Sequence, residues 1–151
     1  RSGGSTALVM IDLDNFKKLN DEHGHAKGDA VLRDVAGQLV GCLRPSDVVC
    51  RYGGEELVAI LPDCSLEDAM AKAEMLRDRI AALSAAHECS VTASLGVASV
   101  PETAASSSDI LPIADAALYA AKKAGKNRVL SAERRAGREA PRLATIKAKQ
   151  S

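Results

Sequence analysis

The chain has 151 residues, 46% of them hydrophobic, with 20 basic and 20 acidic side chains in balance. That length fits one domain with a real core. Zero net charge and 2% aromatic residues, with no tryptophan, exclude an electrostatic nucleic-acid binder and a base-stacking platform.

The four cysteines, Cys42, Cys50, Cys64 and Cys89, form no Cys-x-x-Cys pair and read as reduced thiols of a cytoplasmic protein. No apolar run nears the ~20 residues of a membrane span, and no leader pattern opens the chain. Residues 1–6 read as a linker or fragment edge. A sensory, regulatory or membrane-anchoring part is therefore expected outside this chain, which would be the cytoplasmic portion.

Ala7-Leu8-Val9-Met10-Ile11 is a continuous apolar run, the pattern of a buried central strand. Strand alternation puts Asp12 and Asp14 on one side and Leu13 on the other. A carboxylate at a strand end is where α/β proteins often hold ligands, so Asp12 is either a ligand holder or a helix-capping neighbour. Asp14 reads as the cap of a short helix over 15–20, which Gly24 terminates. Gly24-His25-Ala26-Lys27-Gly28-Asp29 reads as a polar turn, with His23 and His25 as hydrogen-bonding anchors rather than zinc ligands.

Leu32, Val35, Ala36, Leu39, Val40 and Leu43 recur at helical spacing. Asp29 then stands at the start of that helix, either stabilising its first turn or facing a ligand. Arg44-Pro45-Ser46-Asp47 reads as a helix-end cation followed by a turn. The runs 47–50 and 57–61 are strand-like and flank Gly53-Gly54, which predicts a tight hairpin whose glycines adopt positive φ. Bare glycines also admit a ligand to the backbone. Glu55 and Glu56 follow directly. Two adjacent carboxylates repel, so they mark either a solvated turn or a cation site.

Ser65-Leu66-Glu67-Asp68 resembles a capping box and opens a helix with Ala69, Ala73, Leu76, Ile80 and Leu83 on one face. Residues 90–100 alternate as a strand with one partly polar face, 101–108 form a loop, and 110–124 form a helix closed by Gly125. Lys122, Lys123 and Lys126 are either cations favoured at that helix end or a phosphate clamp. Residues 128–130 form a closing strand, and 131–151 read as a basic, disordered tail. The order β-α-α-β-β-α-β-α-β gives an α+β fold: a mixed central sheet with a hairpin in its middle, flanked by helices.

Asp12, Glu55 and Glu56 on neighbouring strands suit one or two Mg²⁺ ions, which take oxygen ligands and share them with substrate phosphates. Two such ions serve phosphoryl transfer, and lysines reaching phosphate oxygens fit that scheme. Neither a Walker-A loop nor Gly-x-Gly-x-x-Gly is present.

The same residues carry a resemblance. Asp12 to Asp21, Gly24 to Asp29, Arg51-Tyr52-Gly53-Gly54-Glu55-Glu56-Leu57, Ser94 to Ala98, and Ala114 to Asn127 resemble the GGDEF family of diguanylate cyclases. The match runs in order over residues 7–130, in a GGEEL form of the signature. It implies a fold related to nucleotidyl cyclases and polymerase palms. It implies condensation of two GTP molecules to cyclic di-GMP and pyrophosphate, each held by one copy of a homodimer.

Carried over by residue, Asp12, Glu55, Glu56 and the Leu13 carbonyl would hold two Mg²⁺ ions (or Mn²⁺), and Glu55 and Glu56 would be catalytic. Asn20 and Asp29 would bind the guanine edge, with Phe16, Lys17, Gly53, Gly54, Lys122 and Lys126 completing the substrate site. Arg44 and Asp47 match the family's RxxD inhibitory product site. A non-enzymatic receptor of GTP or cyclic di-GMP is the alternative. Leu57 stands where the signature usually has Phe, Lys126 where Arg is common, and Met75 where some members carry an arginine of a secondary product site. The upstream DxLTxLxNRR-like segment is absent from this chain.

Overall fold

The computed structural model describes residues 4–135. Nine elements follow in order: β1 (Thr6–Leu13), α1 (Phe16–His23), α2 (His25–Cys42), β2 (Val48–Arg51), β3 (Glu56–Pro62), α3 (Leu66–His87), β4 (Ala93–Val100), α4 (Ser107–Ala124) and β5 (Val129–Ser131). The strands form one sheet in the order β2-β3-β1-β4-β5. β1 is central and antiparallel to both neighbours, while β5 runs parallel to β4. The sheet is mixed, as expected. The hairpin, however, is central only in sequence: β2 is an edge strand.

The alternation along β1 divides the molecule into two layers. Ala7, Val9, Ile11 and Leu13 pack with Val31, Val35 and Leu39 of α2 and Ala73, Leu76 and Ile80 of α3. Leu8 and Met10 pack with Ile110, Ala114 and Leu118 of α4 on the other face. Both faces are covered, which is why β1 reads as unbroken apolar sequence. The same alternation sends Asp12 to the α4 face and Leu13 to the other.

On β4 the partly polar side is covered. Ser94, Gly96 and Ala98 lie under α4 and are buried, so the face is small rather than solvated. A Cβ at Gly96 would sit 2.3 Å from both the Ala114 carbonyl oxygen and the Leu118 amide nitrogen. Only glycine lets α4 lie that close.

α3 starts as expected, with the Ser65 hydroxyl accepting from the Asp68 N–H at 3.1 Å. Gly125 closes α4 at φ 131. Other local expectations are corrected. Residues 25–29 are helical, because Gly24 alone (φ 90) separates α1 from α2. Asp29 therefore sits in the second turn of α2. The hairpin loop has four residues, 52–55, and neither glycine adopts positive φ. The Glu56 carbonyl accepts from Tyr52 N–H at 2.8 Å and Gly53 N–H at 3.3 Å, which closes the loop. α4 begins at 107, shortening the loop before it.

At the ends, Thr6 opens β1 and Ser131 ends β5, so neither is linker or tail. The Ala132 and Arg135 N–H groups bond to the Val97 and Glu102 carbonyls at 3.1 and 2.7 Å. The rest of the expected tail, from 136, lies outside the described residues. All four cysteines are free thiols. Among the described residues no helix is long and apolar enough to cross a membrane.

Candidate active site

The site lies at the end of β1. Asp12 pairs across the sheet with Glu56 of β3 and Ser94 of β4. Asp12 faces α4, and Lys122 from the last turn of that helix reaches back to it. The Lys122 Nζ lies 3.0 Å from Asp12 Oδ1 and 2.9 Å from Asp14 Oδ1, with the Asp12 and Leu13 carbonyl oxygens at 3.5 and 3.4 Å. Glu56 sits beside this group. Burial, then hydrogen bonding with Asp12, and the charges of Asp12, Asp115 and Glu55 together push its carboxyl above the usual carboxylate range. The cross-strand carboxylates thus crowd one another, and Glu55 adjoins them; its carbonyl accepts from the Leu13 N–H at 3.3 Å.

Asp14 is not the helix cap expected. Asn15 holds that position, in the left-handed region at φ 56, with no side-chain cap bond. Asp14 is buried and accepts from four donors. The Thr92 and Ser94 hydroxyls donate at 2.8 and 2.7 Å, the Asn127 N–H at 2.9 Å, and Lys122 is the fourth. Burial alone would raise its pKa, but these donors, Ser94 first, hold it below the ordinary value. Asp14 therefore ties β1 to β4 and to the turn after α4. Lys126 and Asn127 take positive φ in that turn, and the Lys126 ammonium donates to Asn15 Oδ1 at 2.7 Å. Alternation had put Asp12 and Asp14 on one side. The partners Thr92, Ser94 and Asn127, remote in sequence, gave no signal.

A second group lies where α1 meets α2. The Asn20 side-chain oxygen is buried with no hydrogen-bond partner. A Cβ on Gly28 would fall 1.8 Å from it, so Gly28 is the residue that makes room. Next to Gly28, Asp29 lines an open groove of about 630 Å³, walled by Leu32, Val40, Val49, Arg51 and Leu57. Leu57 belongs to the core facing α2, opposite the Glu56 side chain. The position that departs from Phe thus lies beside this groove and not on the carboxylate face.

The hairpin loop is held by Arg51, which sequence reasoning passed over. Its guanidinium donates to the Gly53 and Gly54 carbonyls at 3.2 and 2.6 Å. A Cβ at Gly54 would meet open space, and one at Gly53 would approach Glu56 Oε1 at 3.3 Å. Lys17 is exposed and pairs with Asp21 at 3.1 Å. The Phe16 ring is buried in the core, leaving its backbone N–H at the start of α1.

Arg44 and Asp47 satisfy each other. Arg44 Nη2 donates to Asp47 Oδ1 at 2.7 Å and to the Pro62 carbonyl at 2.6 Å. Burial opposes ionisation of Asp47, yet the Arg44 guanidinium keeps its pKa low. Met75 is a half-buried residue of α3.

Among the described residues, no three His, Cys, Asp or Glu side chains meet as a ready metal cage. The donors near Asp12 fit a hard cation differently. They are oxygens alone, from Asp12, Glu56 and the Leu13 carbonyl, and Mg²⁺ usually completes its shell with water and phosphate. Glu56 is half-buried beside Asp12, and burial first, then the neighbouring carboxylates, push its carboxyl up; a cation there would offset both.

A family model described as "Diguanylate cyclase, GGDEF domain" matches residues 1–128. The chain belongs to the GGDEF family. Diguanylate cyclase DgcM of Escherichia coli K12 is 44% identical over 126 residues, which are 83% of this chain and 30% of that protein. Diguanylate cyclase A of Treponema denticola is 42% identical over 126 residues, covering 82% and 34%. This GGDEF chain thus spans about a third of those relatives. Among solved structures, the active GGEEF domain of a diguanylate cyclase from Vibrio cholerae superposes with TM-score 0.78 at 34% identity, covering 84% of this chain and 82% of that one. The GGDEF domain of DgcB from Caulobacter crescentus, in complex with c-di-GMP, gives 0.77 at 33%, covering 85% and 78%. The α+β fold with its mixed sheet is that of these GGDEF domains.

Proposed function

We propose that this GGDEF domain is a diguanylate cyclase that condenses two GTP molecules into cyclic di-GMP. The observation that carries the reading is the cross-strand pair Asp12–Glu56, with a cationic side chain from α4 reaching the same point. Each 3′-hydroxyl oxygen bonds to the α-phosphorus of the GTP on the facing copy. The bond from that phosphorus to the bridging oxygen breaks, and pyrophosphate leaves. Two such steps close the ring.

Asp12, the Leu13 carbonyl, Glu55 and Glu56 would hold Mg²⁺ or Mn²⁺. A divalent ion bound there would neutralise phosphate charge and acidify the hydroxyl. Glu56 would help take the proton. The unpartnered Asn20 oxygen and Asp29 would accept from the guanine N–H groups, selecting guanine over adenine because adenine offers no matching donors. The Phe16 N–H, Lys17, Lys122 and Lys126 would meet the phosphates, and the bare edge at Gly54 would let them approach. Arg44 would bind product by exchanging its contact with Asp47, giving feedback inhibition.

The test is incubation of concentrated, nucleotide-free protein with GTP and Mg²⁺, followed by chromatography. Cyclic di-GMP from the parent but not from Glu56→Ala is expected. No product, even from a coiled-coil-fused dimer, would sink the cyclase and leave a nucleotide receptor. Added cyclic di-GMP should slow the parent and leave Arg44→Ala unaffected.

A further inference from the structure

Lys122 does not point at open space where a phosphate would come. Its Nζ is enclosed by four oxygens, two carboxylate and two carbonyl, at 2.9–3.5 Å. Two of these, Asp12 Oδ1 and the Leu13 carbonyl, belong to the donors assigned above to a divalent cation. All three groups are sheltered: the side chains of Lys122, Asp12 and Asp14 are 22%, 15% and 1% exposed. Solvent and salt therefore screen their attraction weakly.

We propose that the Lys122 ammonium and a divalent cation are alternative occupants of one oxygen cage, and this rests on the metal reading of Asp12. In the nucleotide-free protein the ammonium fills the cage as an internal counterion. A divalent ion entering there meets a like charge and must displace it from Asp12. Asp14 is held by Thr92, Ser94 and Asn127 and is not shared with the ion, so it keeps its hold on Lys122. The ammonium pivots about Asp14 rather than leaving. Its freed N–H groups then turn toward incoming phosphate. Lys122 thereby makes the empty site a poor metal site and makes metal and triphosphate binding mutually favourable, since the phosphates accept the displaced charge.

The measurement is Mn²⁺ binding to nucleotide-free protein, followed by the paramagnetic resonance of free Mn²⁺. Lys122→Met removes the competing charge and should bind Mn²⁺ about tenfold more tightly. Lys123→Met removes a charge one residue away, from an ammonium lying over the Tyr119 ring at 5.7 Å, and should change affinity less than twofold. Lys122→Gln, which retains a donor for Asp14, serves if the methionine variant does not fold, and should also bind more tightly. Asp12→Asn should abolish binding in every background. Asp12-dependent binding that is equal or weaker in the Lys122 variants overturns the competition and leaves the metal site standing. Binding indifferent to Asp12→Asn, or absent throughout, overturns the metal site and the competition with it.

Discussion

Asn20 keeps a buried oxygen without a partner. An unsatisfied buried acceptor costs roughly 1–3 kcal/mol, a cost that a ligand donating to it would remove. Asn20→Ala is therefore expected to leave thermal stability unchanged or raised, while GTP affinity, measured by calorimetry, falls at least tenfold. A destabilised variant with normal affinity would mean that the side chain is merely structural. Gly28→Ala should mimic the binding loss, because its methyl would displace the Asn20 oxygen. Asp14 behaves oppositely, since every donor around it is used. Asp14→Ala strands two hydroxyls and an amide N–H and takes one of two carboxylates from the Lys122 ammonium. It should cost about 3 kcal/mol or more in urea unfolding of nucleotide-free protein. The sequence placed Asp12 and Asp14 on one face. It could not separate a rim carboxylate from a buried hub, because what distinguishes them arrives from residues 92, 94 and 127.

At the scale of elements, the contact of α4 with β4 decides where Lys122 stands. Gly96→Ala drives a methyl into helix backbone on two sides, and backbone cannot move aside as a flexible side chain can. A loss of about 3 kcal/mol or more is expected, with GTP binding lost in whatever remains folded. A second joint is Glu102, whose Oε2 accepts from the Ser5 hydroxyl at 3.2 Å and the Leu66 N–H at 3.3 Å. Burial opposes its ionisation, but backbone and hydroxyl donors lower its pKa. A carboxyl lowered in the folded state stabilises it above the ordinary carboxylate pKa, and that stability is lost as pH falls through the lowered value. Glu102→Gln should thus melt below the parent at neutral pH, with the gap closing in acid; a constant gap would show that charge is irrelevant there. Elements with strong periodicity, such as β1 and α3, were legible. The start of α2 was not, since Gly24, Gly28 and polar residues between them look like a turn. The Gly-Gly pair likewise suggested positive φ, whereas a four-residue loop fastened by Arg51 needs none.

For the whole molecule, the proposed reaction would take one nucleotide site from each copy and needs two facing each other. Specific activity should then rise in proportion to protein concentration when the protein is dilute, and become flat in a coiled-coil fusion. A flat profile in the unfused protein would argue against a dimeric active form. The overall architecture was readable because hydrophobic patterning sets layers. Sheet order was not, because strand neighbours are chosen by packing between distant segments: β1 pairs with partners some fifty and ninety residues away. Such pairing is slow to form, since long loops must close first. The cage around Lys122 joins residues 12–14 to a side chain 110 positions later. During synthesis, the carboxylates of β1 leave the ribosome long before the lysine that neutralises them. The nascent chain therefore carries an uncompensated acidic strand end until α4 has been made and has docked.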